Sequence, residues 1–171
     1  PPPFLNRMVF RCGATTVLAA DLGKSVVSVE CDKALAAQVA GQLQGISDRA
    51  RVHPVSIGPT DNSGLPLRPR FHGTFHRYPL SVWDRDDLGE PDLVLVQGRF
   101  RAACVAAVRM RARRPTTVLF DDYADRRHYQ RVETLARKDA TVGRMARFTV
   151  TPGAIPPELL TEVIGWFSDP R

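Results

Sequence analysis

The sequence predicts an α/β protein built on a doubly wound, mainly parallel sheet. Short β-branched runs alternate with helical segments along the 171 residues, and such alternation requires crossover connections that set the strands parallel. One run, Asp92 to Val96, is nearly continuous in apolar residues, which is typical of a strand buried on both faces. A single domain over residues 1–171 is expected at this length, with ligands at the carboxyl ends of the strands.

The individual elements follow from hydrophobic periodicity and from turn residues. Thr141 to Val150 predicts either one long strand or an antiparallel hairpin near Arg144. Residues 58–91 are rich in Gly, Pro, His and aromatic side chains and form an expected irregular insertion. The other predicted strands are Leu5 to Phe10, Ser25 to Val29, Val52 to Ile57, Asp92 to Val96 and Thr116 to Phe120, and the predicted helices are Thr15 to Leu22, Lys33 to Leu43, Arg99 to Arg113, Asp125 to Lys138 and Pro156 to Phe167.

Composition narrows the classes of protein that this chain represents. Hydrophobic residues make up 43% and charged residues 25%, which excludes an intrinsically disordered chain. No stretch approaches the roughly 20 apolar residues that cross a bilayer, so no transmembrane segment is expected. The net charge of +6 comes mainly from arginine and attracts nucleic acid, anionic lipid or an acidic protein without choosing among them.

The cysteines and the first residue bear on the compartment. Cys12, Cys31 and Cys104 are odd in number and widely spaced, which favours a reducing compartment over a disulfide or zinc scaffold. The chain begins with Pro1, and we expect a segment such as a targeting peptide to precede it. A mitochondrial or other organellar matrix and the cytoplasm are both compatible with this pattern.

Five short segments, spread over nearly the whole chain, have a specific order and spacing. They are Thr16-Val17-Leu18-Ala19-Ala20, Val27-Ser28-Val29-Glu30-Cys31-Asp32, Ile57-Gly58-Pro59-Thr60, Gly98-Arg99-Phe100-Arg101 and Phe120-Asp121-Asp122-Tyr123. This order resembles that of the class I S-adenosylmethionine-dependent methyltransferases, and in particular small bacterial methyltransferase-like proteins of unknown substrate. The resemblance implies a Rossmann-like methyltransferase fold and S-adenosylmethionine as cofactor.

The resemblance also implies cofactor-binding residues, and two of these depart from the family pattern. Glu30 ends the second strand where the family has an acidic residue that binds the ribose hydroxyls, although a Glu there also suits a cap of the next helix. Gly13 is the one glycine left in a loop that is normally glycine-rich, beside Arg11 and Cys12. Gln97 stands where the family has Asp, and a neutral amide is no general base, so it either contacts the cofactor or bonds neighbouring backbone.

Asp121 and Asp122 are the candidate catalytic residues at the end of the fifth strand. Adjacent carboxylates can hold a metal or raise one another's pKa for acid–base work, but an Asp there also suits a cap of the following helix. His72 and His76 have the spacing of helical metal ligands, yet Gly73 argues against a helix, and no metal site is predicted. The aromatic segment Phe71 to Trp83 is expected to cover the site or to form a partner surface.

Two functions of different class remain. In the first, the chain is a degenerate methyltransferase-like protein that serves as a structural or accessory subunit of a larger assembly, with its aromatic insertion and arginine-rich helix ends buried against other subunits. In the second, it is an active methyltransferase acting on a small molecule or a protein. The altered loop at Gly13 and the replacement at Gln97 favour the first. Arginines at the end of the fourth helix complement its dipole, and no RNA-binding motif supports specific nucleic-acid recognition.

Overall fold

The computed structural model of this chain describes residues 6–171, and Leu5, where the first predicted strand begins, lies outside them. Seven strands form one sheet in the order β3-β2-β1-β4-β5-β7-β6. The strands are β1 (Asn6–Phe10), β2 (Ser25–Glu30), β3 (Ala50–Pro54), β4 (Leu93–Val96), β5 (Thr116–Phe120), β6 (Arg137–Val142) and β7 (Met145–Val150). Strands β1 to β5 are parallel and β7 is antiparallel to both of its neighbours, which confirms the predicted doubly wound, mainly parallel sheet and the C-terminal hairpin.

Helices lie on both sides of this sheet. On one side α1 and α2 pack against β2 and β3, and on the other α4 packs against β4, β5 and β7. The α-helices are α1 (Ala14–Asp21), α2 (Lys33–Leu43), α3 (Arg77–Leu80), α4 (Arg101–Arg111) and α5 (Leu160–Trp166), and 3₁₀ turns occupy Pro69–Thr74, Ser81–Asp84, Arg127–Thr134 and Pro157–Leu159. No helix within the described residues is long and apolar enough to cross a bilayer.

Helix α4 forms the centre of the larger core. Its first eight residues, 101–108, are all buried, because sheet, α3 and α5 surround it and small alanines allow close approach. Arg101 is buried among them and donates to the backbone carbonyl oxygens of Gly98 and Asp121 at 2.9 and 2.6 Å. The guanidinium of Arg101 therefore links the segments that follow β4 and β5 through these two hydrogen bonds.

The insertion of residues 58–91 is less open than its composition predicts. Phe75 and Tyr78 are buried within the larger core, with ring centroids 5.3 and 5.8 Å from that of Phe100, so these rings serve neither as a partner surface nor as an exposed cover. His72 and His76 remain exposed. The segment thus fills the space over the sheet that a crossover helix would otherwise fill.

The predicted helix from Asp125 to Lys138 is wrong. The chain forms a 3₁₀ turn over Arg127–Thr134, and Arg137 already begins β6. Tyr129 and Val132 are the buried residues of the turn, and their separation by three matches the three-residue period of a 3₁₀ helix. Pairing of β6 with β7 ends the helical geometry, since tertiary pairing outweighs local propensity.

Candidate functional site

The carboxyl ends of β1, β2 and β4 meet at one edge of the sheet. This edge brings together three residues that the sequence singles out for cofactor binding, Gly13 after β1, Glu30 at the end of β2 and Gln97 after β4. Asp121 and Asp122 follow β5 further along the same edge. The arrangement is the expected one for a ligand site in a doubly wound fold.

Glu30 is 3% exposed, and its carboxylate binds the protein's own backbone. Oε1 accepts from the N–H groups of Cys31 and Asp32 at 2.8 and 2.9 Å, and Oε2 accepts from the N–H of Cys12 at 3.2 Å. A carboxylate offers about four acceptor positions, so about one remains, and a vicinal diol requires two. Glu30 therefore joins the first loop to the end of β2.

The first loop is held in place by bonds of its own. The N–H of Gly13 donates to the hydroxyl of Thr16 at 3.3 Å, and that hydroxyl also pairs with Ser28 at 2.8 Å. The side-chain amide of Gln97 donates to the carbonyl of Arg11 at 3.2 Å and to the hydroxyl of Thr15 at 2.8 Å. Of the two roles open to Gln97, the geometry matches bonding to neighbouring backbone.

Backbone strain is concentrated at this edge. Within residues 6–171, three non-glycine residues have positive φ, and each follows a strand: Arg11 after β1 (φ 91°), Phe100 after β4 (φ 52°) and Asp122 after β5 (φ 56°). Such conformations cost roughly 1–3 kcal/mol each and persist where surrounding contacts fix them. Strain of this kind is characteristic of functional edges.

A strap of residues 58–67 closes over the site. Asp61 organises its tip through one carboxylate oxygen, which accepts from the Ser63 hydroxyl at 2.6 Å and from the N–H groups of Leu65 and Ser63 at 2.9 and 2.8 Å. The Ser63 hydroxyl and these N–H groups lower the pKa of Asp61. Arg99, just after β4, donates from Nε to the carbonyl of Ser63 at 2.9 Å and from Nη2 to its hydroxyl. The turn-forming sequence Asp61 to Gly64 signals a tight turn, but no sequence feature indicates that Arg99 latches it.

The phenol of Tyr78 closes the site from inside. A Cβ placed on Gly98 would overlap the Tyr78 hydroxyl and lie 3.0 Å from the carbonyl of Phe10, so only glycine fits between them. Tyr78 is 1% exposed, and burial raises its pKa well above the ordinary value, so the phenol stays protonated. The sequence predicts that the aromatic segment Phe71 to Trp83 covers the site or forms a partner surface, but no sequence feature singles out Tyr78.

The space left at the centre is small. The cavity that Glu30, Tyr78 and Arg99 line has a volume of about 10 Å³, room for about one water molecule. A second, open groove of about 400 Å³ adjoins the outer side of Glu30 and Cys31 and reaches Val55 and Gly58. Cofactor pockets measure roughly 300–1,000 Å³, so the cavity between strap and loop does not accommodate S-adenosylmethionine in this conformation, whereas the groove has nucleoside-sized room.

The two thiols at this site are poor nucleophiles. Burial, together with the charge of Glu30, raises the pKa of the Cys12 thiol and of the Cys31 thiol to about 12 in each case. Since the thiolate is the reactive form, both are unreactive near neutral pH. Among the described residues, no cluster of His, Cys, Asp and Glu has the arrangement of a metal site.

Asp121 and Asp122 are paired with arginines. Asp121 accepts from Nε and Nη2 of Arg144 at 2.9 and 3.2 Å, while Asp122 lies 3.2 Å from Arg101 and 3.4 Å from Arg126. Neither carboxylate caps a helix, because the turn that follows has no side-chain cap. The arginines compensate the charges of both carboxylates locally, so neither carboxylate is left free to act as a general base.

His53 and Ser81 form a pair that sequence analysis did not consider. Nε2 of His53 lies 2.9 Å from the Ser81 hydroxyl, and that hydroxyl donates to the carbonyl of Arg77 at 2.7 Å. Arg85 donates to Nδ1 of His53 at 3.4 Å, so the proton of the neutral ring sits on Nε2. His53 is therefore a donor to Ser81 and cannot activate it as a nucleophile.

The arginines at the end of α4 bind this chain's own loops. Arg109 donates to the carbonyls of Ala154 and Thr151, Arg111 pairs with Asp84 at 2.7 Å, and Arg114 pairs with Asp92. These side chains anchor the insertion and the C-terminal segment, and their expected burial against other subunits stays a prediction.

Comparison with known proteins identifies the family. No protein-family model and no curated protein matches the chain. A solved methyltransferase-like protein from Silicibacter pomeroyi is 38% identical over 96% of this chain and 87% of that one, with a TM-score of 0.88. The chain belongs to the class I S-adenosylmethionine-dependent methyltransferase-like superfamily, as a methyltransferase-like member.

More distant structures share the fold. An O-methyltransferase from Bacillus cereus, solved with S-adenosylhomocysteine, is 14% identical over 85% of this chain and 74% of that one, with a TM-score of 0.53. A putative precorrin-6Y C5,15-methyltransferase domain from Corynebacterium diphtheriae is 13% identical over 90% of both chains, also with a TM-score of 0.53. At these sequence identities the similarity to both structures shows a shared fold.

Proposed function

We propose that this chain is a non-methylating member of its superfamily and acts as a structural or accessory subunit of a larger assembly in a reducing compartment, such as an organellar matrix. The methyltransferase fold is retained in this proposal, while the site does not carry out methyl transfer. Its partners are other protein subunits, and its basic surface contributes to nucleic-acid contact only without sequence specificity.

The observation that carries the proposal is the internal pairing of the groups that would bind the cofactor. Glu30 binds three backbone N–H groups, and the N–H of Gly13 is directed to Thr16. The amide of Gln97 holds the first loop. Binding S-adenosylmethionine here would require these bonds to be exchanged and the strap to move, which costs binding free energy.

One observation supports the alternative of an active methyltransferase. The open groove of about 400 Å³ beside Glu30 is large enough for the nucleoside part of a cofactor, and the strap is held mainly by hydrogen bonds from Arg99, with a weaker contact from the Cys31 thiol. In that case the latch opens on binding, and the acceptor is a small molecule or a protein.

Calorimetric titration with S-adenosylmethionine and S-adenosylhomocysteine tests the proposal directly. We expect no heat of binding up to millimolar ligand for the folded wild-type chain, and none for Arg99→Ala, in which the latch is removed. An active class I methyltransferase titrated in the same buffer is the positive control. Micromolar affinity of the wild-type chain would overturn the proposal.

Binding that is gained in Arg99→Ala identifies a site closed by its latch and supports the active alternative. A matched control is Arg126→Ala, which removes an arginine from the same sheet edge without touching the strap. The control variant should behave as wild type.

A further inference from the structure

Part of the insertion, residues 62–83, carries basic side chains and no acidic ones. It contains three arginines and two histidines but neither Asp nor Glu, so nothing within the segment offsets its positive charge. The five basic residues are all exposed and lie within ten residues of one another: Arg68, Arg70, His72, His76 and Arg77. We call residues 68–77 the basic ridge.

The arginines of the basic ridge lack the carboxylate partners that other exposed arginines have. Among residues 6–171, no ion pair involves Arg68, Arg70 or Arg77. Arg113 and Arg137 are 86% and 77% exposed, yet they lie 3.4 and 3.0 Å from a carboxylate oxygen. Because like charges that stand close together repel one another, an anionic ligand that offsets them gains binding free energy at this surface.

The fold holds the basic ridge in one conformation. Phe75, Tyr78 and Val82 are buried at intervals of three and four residues, so one side of the segment faces the core and the other faces solvent. Within the ridge, the N–H of Phe71 donates to the carbonyl of Arg68 at 3.2 Å. A surface that is already ordered loses little conformational entropy when it binds a ligand.

The solvent side of the ridge is long and unobstructed. Seven residues of 3₁₀ and α-helical turn separate Arg70 from Arg77, which is about 10–14 Å at 1.5–2.0 Å per residue. A Cβ placed on Gly73, between them, would meet no atom within 4 Å. The guanidinium of Arg70 lies 5.0 Å from the ring centroid of Phe71, a contact that positions its charge without neutralising it. The ridge therefore suits an elongated ligand with repeated negative charge.

The composition of the ridge indicates which polyanion it fits. The centre of a protein–protein interface is depleted in charge, and membrane-bound amphipathic segments insert apolar side chains beside their basic ones. Within residues 62–83, all of which the structure describes, Leu67 is the single large apolar residue that is well exposed. Phosphate contacts need only positive charge and N–H donors, and the arginine guanidinium binds phosphate oxygens in pairs.

We propose that the basic ridge binds the phosphate backbone of a nucleic acid through Arg68, Arg70 and Arg77, without reading its bases. Bases are not read because the buried rings of Phe75 and Tyr78 face the core and offer no stacking surface. The inference locates the nucleic-acid contact of the proposed accessory role, on which it rests. Its test involves no S-adenosylmethionine, so the two fail separately.

Fluorescence anisotropy with a labelled RNA strand of about 20 uridines, titrated with the wild-type chain at several salt concentrations, tests the inference. We expect a micromolar dissociation constant at 50 mM NaCl. The logarithm of the association constant should fall with the logarithm of salt concentration at a slope of about −2, since each of three phosphate contacts on a single strand contributes about −0.7. A mixed-sequence strand of the same length should bind within threefold.

Removal of the three arginines locates the binding. Arg68→Ala/Arg70→Ala/Arg77→Ala should weaken RNA binding at least tenfold and bring the salt slope close to zero. The three side chains are exposed, so the variant should fold, as a thermal melt will check.

The matched control removes the same charge from exposed arginines that are already paired. Arg113→Ala/Arg137→Ala/Arg147→Ala should bind RNA within threefold of wild type. Equal weakening by both triple variants would assign the binding to net charge rather than to the ridge and would overturn the inference. Absence of RNA binding at 50 mM NaCl would overturn it as well.

Two further probes separate the other classes of polyanion. Vesicles of phosphatidylcholine with phosphatidylserine that bind more tightly than RNA, and that lose binding in Leu67→Ser, would assign the ridge to a membrane. Polyglutamate that displaces RNA at equal charge concentration would assign it to an acidic protein. Either result contradicts the nucleic-acid proposal, whereas weaker binding of both probes than of RNA supports it.

Discussion

Glu30 and the Asp121–Asp122 pair end strands of the same sheet but are neutralised by different means. Glu30 is buried and bound by three backbone N–H groups, whereas Asp121 and Asp122 are partly exposed and bound by arginine side chains. Buried donors that lose an acceptor cost far more than exposed ion pairs that separate. Glu30 thus joins backbone segments of the fold, while Asp121 and Asp122 form partly exposed ion pairs.

The largest expected effect comes from Glu30→Ala. The substitution leaves the N–H groups of Cys12, Cys31 and Asp32 without their acceptor. We expect the free energy of unfolding to fall by about 3 kcal/mol, since hydrogen bonds to charged groups contribute roughly 1.5–3 kcal/mol and are not additive. Urea unfolding measures it, and a loss below about 1 kcal/mol would mean that Glu30 is available for a ligand.

Gly98→Ala is expected to destabilise the same end of the sheet through a steric clash. The added methyl group overlaps the Tyr78 hydroxyl and lies close to the Phe10 carbonyl. We expect a loss of about 2 kcal/mol, within the range for overpacked cores. Gly98→Ala/Tyr78→Phe should recover part of this loss in the same urea experiment, and a strictly additive double mutant would show that Tyr78 is not the obstacle.

Opening the strap is expected to have a smaller effect, visible in thiol chemistry. In Arg99→Ala the bonds to Ser63 are lost, and Cys31, whose thiol lies 3.8 Å from the carbonyl of Gly64, becomes accessible. We expect iodoacetamide labelling of Cys31 at pH 8, mapped by mass spectrometry, to accelerate at least tenfold. Arg126→Ala is the control, and an unchanged rate in Arg99→Ala would show that the strap holds without its latch.

His53 is a partly buried imidazole whose protonation state affects the stability of the fold. Burial, with the charge of Arg85, lowers its pKa below the ordinary 6.5. Below pH 6.5 the unfolded chain binds a proton that the folded chain does not, so stability is full above this pH and falls as pH drops through the folded-state pKa. Thermal melts between pH 7.5 and 5.5 should show this loss, and His53→Gln should flatten it. An equally steep loss in the variant would assign the effect to other groups, His128 among them.

The smallest effect is expected at the arginine-bound pair. Asp121→Asn should cost less than about 1 kcal/mol, because its partner Arg144 is 66% exposed and solvent screens the ion pair. The loss should shrink further in 0.5 M salt, as screening predicts. A loss as large as that of Glu30→Ala would contradict the distinction between the two acid sites.

The sequence by itself determined the alternation of strands and helices, the parallel sheet, the C-terminal hairpin and the placement of Gly13, Glu30 and Gln97 at one edge. Hydrophobic period and turn residues are local signals, so they survive without knowledge of contacts. Only the tertiary structure decided that Asp125 to Lys138 is not a helix and that Tyr78 and Arg99 close the site. Both outcomes depend on which distant residues meet, and a hydrogen-bond partner leaves no periodic trace in the chain.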